Sequence, residues 1–179
     1  MKKLFLILIT AVLVGCASSE FKAYKADKDN FTPNTDRYFS SPIYYQENVF
    51  GGPGAGRFYI NTSIEEGKMT WSLSTDWLSA SGRWLFNNQI AFNIDGQIYK
   101  FSGQATPNTE IMGGSMVMER NIYGVSDEFI SKLENANSVI VRVSGTQAYV
   151  ERTLSQEDIK NIKWYISYMK SGNRPTQSK

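Results

Sequence analysis

The chain has 179 residues, no histidine and a single cysteine, with 19 basic and 17 acidic side chains. The lack of histidine excludes catalytic triads and general bases built on imidazole, as well as histidine-rich zinc sites, and a single cysteine excludes an internal disulfide. The lysines at positions 2 and 3 account for the whole positive excess. The rest of the chain is therefore neutral, and a nucleic-acid partner is not expected.

The first sixteen residues have the layout of a bacterial export signal. Two lysines precede an apolar run over residues 4–14, which is too short for a membrane span because about 20 helical residues are needed to cross the hydrocarbon core. The sequence Leu13-Val14-Gly15-Cys16 that follows resembles the lipobox of bacterial lipoproteins. This resemblance implies cleavage before Cys16, a thioether-linked diacylglycerol on its sulfur, and usually a third acyl chain on the new amino terminus.

We therefore expect residues 1–15 to be a removed signal peptide and the mature protein to be lipid-anchored in the cell envelope. Two or three acyl chains hold a protein durably at a membrane, whereas one chain holds it only marginally. Position 17 is alanine, where an aspartate would resemble the inner-membrane retention signal of enteric bacteria, so the outer membrane is favoured in a host with two membranes. Residues 16–40 are predicted to be the lipidated amino terminus and a flexible polar tether.

Residues 41–170 are predicted to form a single β-rich domain. Several short segments are rich in aromatic and β-branched residues, as strands are. These segments are residues 43–50, 57–63, 69–77, 89–94, 97–102, 109–112, 115–123 and 138–144, with a return strand over 148–152. Because strands do not alternate with helices, the sequence predicts an antiparallel sandwich or an open barrel, with a short helix and a C-terminal helix packed on the sheet.

The clearest turn signal is Asp95-Gly96, which lies between two alternating runs. Asp-Gly favours a type I′ turn, because both central residues need a positive φ. This turn pairs Phe92 with Tyr99. It likewise pairs Ile90 with Phe101, so that these four side chains share one face, which we expect to be a core face.

Two helices are predicted near the end of the domain. Ser126 is a predicted N-cap, followed by acidic residues and a short apolar stripe. Ser155 is predicted to cap a second helix that runs to about Lys170, with apolar residues at spacings of three and four on its packed side. Residues 171–179 are predicted to be a disordered basic tail.

The hairpin before the last helix carries charged residues. A turn at Gly145-Thr146 would place Arg142 opposite Tyr149, with Glu151 two residues further along the same face. We expect this group to be a surface cluster that contributes little to stability.

The segment WLFNNQIAFNIDGQIYKF, together with SDEFISKLENANSVIVRVSG and the capped last helix, resembles a pattern of uncharacterised exported bacterial proteins. In that pattern a Trp-x-Phe strand leads to an IDG hairpin, a short helix, a strand that carries arginine, and a final helix. The resemblance extends over residues 84–169. It implies one domain and brings no activity with it.

Aromatic side chains are the main candidates for a binding site. Trp77 and Trp84 flank residues 78–83, a predicted loop or hairpin tip, and are expected to be exposed; Tyr44 and Tyr45 are further candidates. Exposed rings of this kind stack on sugars or anchor a protein partner. The alternative is that they fill a small β core, as large aromatic residues more often do, and Trp71 is expected to point inward.

No catalytic, metal or cofactor site is predicted. The acidic residues are spread thinly, and the glycine-rich segment 51–57 lacks the Lys-Ser/Thr of a P-loop and the spacing of a dinucleotide-binding motif. We expect a non-enzymatic binding or assembly module that recognises an envelope protein or a glycan. A carboxylate-dependent envelope hydrolase and an inhibitor of an envelope-active enzyme such as lysozyme stay open. A hydrolase needs two acidic side chains about 5–10 Å apart in a cleft. An inhibitor is expected to project a loop, for which residues 51–56 are the candidate. A binding module is expected to show an aromatic or apolar patch on its surface.

Overall fold

The computed structural model of the protein describes residues 20–46, 54–80, 82–103, 107–113, 116–146 and 148–176. Within these residues the chain forms eleven strands and two helices. The strands, in chain order, are β1 (Ala23–Lys25), β2 (Thr35–Ser40), β3 (Ile43–Gln46), β4 (Ala55–Glu65), β5 (Lys68–Ser79), β6 (Asn87–Ile94), β7 (Gln97–Ser102), β8 (Asn108–Met112), β9 (Met116–Val125), β10 (Val139–Gly145) and β11 (Tyr149–Thr153). The helices are α1 (Asp127–Asn135) and α2 (Gln156–Lys170).

The strands form two antiparallel sheets, which confirms the predicted mainly β fold. The large sheet has the strand order β1-β2-β4-β5-β9-β8, and β3 also pairs with β4. The small sheet has the order β11-β10-β6-β7. Neither sheet closes into a barrel in the described part of the chain. The architecture is therefore an open sandwich with two helices.

Apolar side chains from both sheets meet in one core. The ring of Phe58 from the large sheet packs edge-on against Phe92 from the small sheet, with their centroids 5.6 Å apart. The two helices contact each other and extend this core, since Phe129 of α1 packs on Phe92 and Tyr165 of α2 packs on Trp71. The predicted packing of the last helix on a sheet is confirmed.

Both helices begin after the serine that the sequence predicted. Ser126 caps α1 by accepting a hydrogen bond from the backbone N–H three residues later. Ser155 forms a capping box with Asp158 at the start of α2. Caps of this kind stabilise a helix by about 1 kcal/mol. α2 ends at Lys170 as predicted, and residues 171–176 of the predicted tail contain no helix or strand, while 177–179 lie outside the described residues.

The Asp95-Gly96 hairpin forms with the predicted register. Asp95 has φ 49° and Gly96 has φ 91°, as a type I′ turn requires. Ile90 lies opposite Phe101, and the predicted partner of Phe92 is likewise confirmed. The predicted pair of strands around residues 113 and 114 is present as β8 and β9.

The prediction of a flexible tether over residues 16–40 is wrong for residues 23–40. Ala23 pairs with Ser40 in the β1–β2 hairpin, and β2 continues along β4, where it buries Tyr38. The segment has a weak local signal because β1 has only three residues and Tyr38 is the only large apolar side chain of β2 that is buried. Its order comes from pairing with the free edge of β4, which lies more than twenty residues further along the chain.

The predicted register of the last hairpin is also wrong. Tyr149 lies opposite Ser144 and Glu151 lies opposite Arg142, so the connecting loop is two residues longer than predicted. A shift by two residues keeps every side chain on its face, because successive side chains alternate in a strand. Of the predicted first strand 43–50, residues 43–46 form β3, and 47–50 lie outside the described residues.

Candidate functional site

A cavity of about 620 Å³ opens beside the segment that leads into β6. It is bounded by residues of the β5–β6 connection and by the start of β11. Its lining residues are Trp77, Gly82, Arg83, Trp84, Leu85, Phe86, Ala148, Tyr149 and Val150. We call it the aromatic pocket, because three accessible rings border it. Phe86 is 36 % exposed, Tyr149 is 62 % exposed, and Trp84 is half-buried.

The rings of Trp84 and Phe86 stack on each other in this pocket. Their centroids are 6.0 Å apart and their planes differ by 28°. The backbone of Phe86 has φ 54°, a left-handed conformation that is uncommon for an aromatic residue. Backbone strain of this kind costs about 1–3 kcal/mol and persists only where the surrounding structure enforces it. Something must therefore hold the segment in place.

A buried carboxylate supplies that constraint. Glu119 of β9 is fully buried, and it accepts hydrogen bonds from the backbone N–H groups of Leu85 and Asn87, the second at 3.0 Å. The left-handed turn at Phe86 directs both N–H groups to one side, as in anion-binding backbone nests. Burial raises the pKa of Glu119, although the N–H groups of residues 85–87 oppose the shift. The carboxylate thus ties the edge of the pocket to the large sheet.

Side-chain hydrogen bonds fix the rest of this segment. The indole Nε1 of Trp77 donates to the carbonyl of Arg83 at 3.1 Å, and the Arg83 N–H donates to Ser79 at 3.3 Å. Beneath the segment, Asn87 donates to Thr75 at 3.2 Å within the core. These hydrogen bonds therefore fix the position of the segment that carries the aromatic rings of the pocket.

A shallow polar groove lies next to the aromatic pocket on the outer face of the small sheet. Its volume is about 320 Å³. Its lining includes Gln89, Asn93, Ile98, Lys100, Arg142, Ser144 and Glu151. Tyr149 connects the two regions, since it lines the pocket while the Arg142 guanidinium lies 4.6 Å from its ring centroid. Arg142 also forms an ion pair with Glu151.

The two tryptophans that were predicted to be exposed differ in their burial. Trp84 is half-buried at the pocket, with its ring stacked on Phe86. Trp77 is only 3 % exposed, so its predicted exposure is wrong, and it forms the inner wall of the same pocket. The reason is that Trp77 belongs to the core-facing side of β5, which continues for two residues beyond the predicted end of that strand.

The two tyrosine candidates lie outside the pocket. Tyr45 is buried, and its hydroxyl donates to the carbonyl of Asp76 at 3.2 Å. Tyr44 is 39 % exposed, and its carbonyl accepts a hydrogen bond from Arg152 at 2.7 Å. The four predicted contact residues therefore do not form one site. Cys16, the predicted lipidation site, lies outside the described residues.

Sequence analysis missed Phe86 and Tyr149 as members of the site. The two-residue spacing of Trp84 and Phe86 is the one sequence signal that could have indicated that their side chains point to the same side of the chain. Nothing local predicts the left-handed backbone of Phe86, because glycine, asparagine and aspartate are the residues that usually adopt it.

The two buried acids of the large sheet do not form a catalytic pair. Asp76 faces the outer side of the sheet, where Arg57 lies at 3.1 Å and Arg120 at 2.9 Å from its carboxylate. Glu119 is aligned with Trp77 and faces the inner side. Because the two carboxylates lie on opposite faces of one sheet, they cannot flank one glycosidic bond. The described residues also contain no group of three or more His, Cys, Asp or Glu able to hold a metal ion.

Ser167 and Lys170 on α2 have the spacing of the serine–lysine dyad that some acylating enzymes use. Both side chains bind Glu134 of α1, the serine as a hydrogen-bond donor at 3.1 Å and the lysine as an ion pair at 2.5 Å. The hydroxyl thus points to a carboxylate rather than to a basic amine. This arrangement joins the helices and lacks the geometry of an acylating dyad.

The candidate inhibitory loop is only partly described, since residues 51–53 lie outside the described residues. Its end packs against the core. A Cβ at Gly56 would lie 2.0 Å from the ring of Tyr45, and one at Gly54 would lie 2.7 Å from Trp77. The described part of the segment is therefore packed and does not project.

A scan against models of known protein families finds no match for this chain, and a search of curated proteins finds none either. Neither of the two helices in the described ranges has the length and apolar character needed to cross a bilayer.

Proposed function

We propose that this protein is a lipid-anchored component of the bacterial cell envelope that binds a glycan in the aromatic pocket. The anchor is inferred from the signal layout and the lipobox-like sequence that ends in Cys16. The binding role is inferred from one observation above all, the stacked pair of Trp84 and Phe86 on a strained backbone that Glu119 holds in place.

The pocket matches the chemistry of a sugar chain. A pyranose ring presents C–H groups on its faces, and these pack on aromatic rings, while its hydroxyl groups need hydrogen-bonding partners. Trp84, Phe86 and Tyr149 offer the aromatic surface. The adjoining groove offers the amide of Gln89 and the ion pair of Arg142 with Glu151. Together they favour an oligosaccharide of several units over a single sugar.

Rigidity is a further argument for a binding site. An aromatic residue held at positive φ costs stability, and such strain is concentrated at functional sites. The pocket rings are oriented before any ligand arrives, which lowers the entropy lost on binding. We propose binding without catalysis, because the buried carboxylates of the large sheet face opposite sides and none of the described residues that line the pocket is acidic.

Titration calorimetry with oligosaccharides released from envelope glycans tests this proposal. We expect saturable binding by the natural chain. The substitution Trp84→Ala should weaken it at least about tenfold, because loss of a stacked ring at a binding site costs more than about 1.4 kcal/mol. Tyr44→Ala is the matched control, since it removes an exposed ring outside the pocket.

Two outcomes would contradict the proposal. One is equal affinity of the Trp84 and Tyr44 variants. The other is capture of a stoichiometric envelope protein through the same pocket with no oligosaccharide binding, which would make the module a protein-assembly domain. The anchor is tested separately by intact mass, since mature protein with a bare thiol at Cys16 or a retained leader would contradict lipidation.

A further inference from the structure

Three aromatic rings cover the outward side of α2. Trp164 and Tyr168 are one helical turn apart and stack with their centroids 5.0 Å apart and their planes 10° apart. Phe21, near the start of the described chain, packs edge-on against Trp164 at 6.1 Å. Trp164 is still 41 % exposed, although the opposite side of α2 is buried in the core. Phe21 and Tyr168 are half-buried, so Trp164 is the most accessible ring of this surface, which we call the α2 outer face.

Positive charge accompanies this surface. Residues 156–176 contain four basic side chains and two acidic ones, Glu157 and Asp158, which lie in the first turn of α2. The basic residues are Lys160, Lys163, Lys170 and Arg174. Lys170 pairs with Glu134, whereas Lys160 is exposed one turn before Trp164. Aromatic rings with a polar edge, flanked by lysines, are the residue types that lie at the boundary between headgroups and acyl chains.

The length of the amino-terminal chain connects this surface with the proposed anchor. Phe21 follows Cys16 by only five positions. An extended chain spans at most about 3.6 Å per residue, so the two Cα atoms are separated by no more than roughly 18 Å. Acyl chains on Cys16 would therefore enter the bilayer close to the Phe21–Trp164 contact.

We infer that the α2 outer face lies against the anionic phospholipid surface of the membrane that holds the acyl chains, with Trp164 and Tyr168 at the headgroup boundary. This inference rests on the proposed lipid anchor. It has a consequence for the aromatic pocket. Trp71, which contacts α2, and Ser79, next to the pocket, are eight residues apart on β5, or roughly 26 Å along the strand. The pocket thus lies at the opposite end of β5 from the contact with α2.

Fluorescence quenching of the full-length lipidated protein tests this orientation. The protein is reconstituted in vesicles of phosphatidylcholine and phosphatidylglycerol brominated near the top of the acyl chains, because bromine quenches only nearby tryptophan. We expect quenching of the natural chain and loss of most of it in Trp164→Phe. Trp84→Phe is the matched control and should retain the quenching, since Trp84 lies at the pocket. Circular dichroism confirms that both variants fold.

Flotation of the vesicles reports the anchor independently. Protein that floats but shows no quenching, or the same quenching in Trp164→Phe as in the natural chain, overturns the orientation and leaves the anchor standing. Protein that fails to float overturns the anchor, and the orientation with it. Glycan binding is measured separately and is affected by neither result.

Discussion

The Asn87 N–H donates a hydrogen bond to the carboxylate of Glu119 at 3.0 Å, and this bond links the first residue of β6 in the small sheet to β9 of the large one. Leu85 donates to the other carboxylate oxygen. The two bonds enclose Phe86, whose left-handed backbone would otherwise relax. The link between the sheets and the shape of the aromatic pocket are therefore one structural feature.

The first prediction concerns this carboxylate. Glu119→Leu should lower the free energy of unfolding at pH 7 by about 1–3 kcal/mol, because it removes both acceptors and leaves two buried N–H groups unpaired. Urea denaturation measures the change. Glu110→Leu is the control, since Glu110 is exposed on β8 and this substitution should change stability by less than about 0.5 kcal/mol. Equal stability of the two variants would contradict the role given to Glu119.

The second prediction concerns how the free energy of unfolding depends on pH. Burial raises the pKa of Glu119 above the ordinary glutamate value of 4.5, so the folded protein keeps this proton in a range where the unfolded chain has released it. Its favourable contribution is complete below pH 4.5 and is lost as the pH rises through the raised pKa. Glu119→Gln cannot titrate. The free energy of unfolding of the natural chain should therefore fall relative to that of this variant as the pH rises from 4.5, as thermal unfolding across that range will show.

The third prediction separates strain from binding at Phe86. Phe86→Gly should be more stable than Phe86→Ala by about 1 kcal/mol, because glycine adopts positive φ without steric cost and alanine does not. Both variants lose the ring and should bind oligosaccharide more weakly than the natural chain. Chemical denaturation ranks the two variants. The usual order, with alanine above glycine, would show that the backbone of residue 86 is not left-handed in solution.

The fourth prediction tests the close approach between β10 and the segment before β6. A Cβ on Gly145 would lie 1.6 Å from the carbonyl oxygen of Leu85, so Gly145→Ala must displace the segment that carries Trp84. We expect a loss of about 1–3 kcal/mol in the free energy of unfolding, together with weaker ligand binding.

Gly124→Ala is the control for this substitution. Nothing lies within 4 Å of a Cβ at Gly124, which is also an exposed strand residue. It should change stability by less than about 1 kcal/mol and leave binding unchanged. A neutral result for Gly145→Ala would show that the segment before β6 is not packed against β10 in solution.

The sequence predicted well those features whose conformation depends on residues that are close along the chain. Asp95 and Gly96 adopt the two positive φ angles that their type favours, and the turn then sets the register of β6 and β7. Ser155 caps α2 because its hydroxyl needs only a backbone N–H three residues away. In both cases the determining contacts lie within a few residues along the chain.

The candidate site was only partly predictable for the opposite reason. Trp77 and Trp84 have similar sequence surroundings, yet one is buried and the other borders the pocket, because β5 continues through Trp77 before the chain turns. Tyr149 belongs to the pocket because the loop before β11 is longer than its sequence indicated. These outcomes depend on which strands pair.

By itself the sequence determined the β-rich class, the Asp-Gly turn and the helix starts, since each of these depends on composition or on nearby residues. Only the tertiary structure decided that the chain before residue 40 joins the large sheet, that Glu119 holds the strained backbone of Phe86, and that the rings of Trp84, Phe86 and Tyr149 share one pocket. The physical reason is that burial and strand pairing join residues far apart in the chain. The free energy of such contacts depends on both partners, and a local pattern shows only one of them.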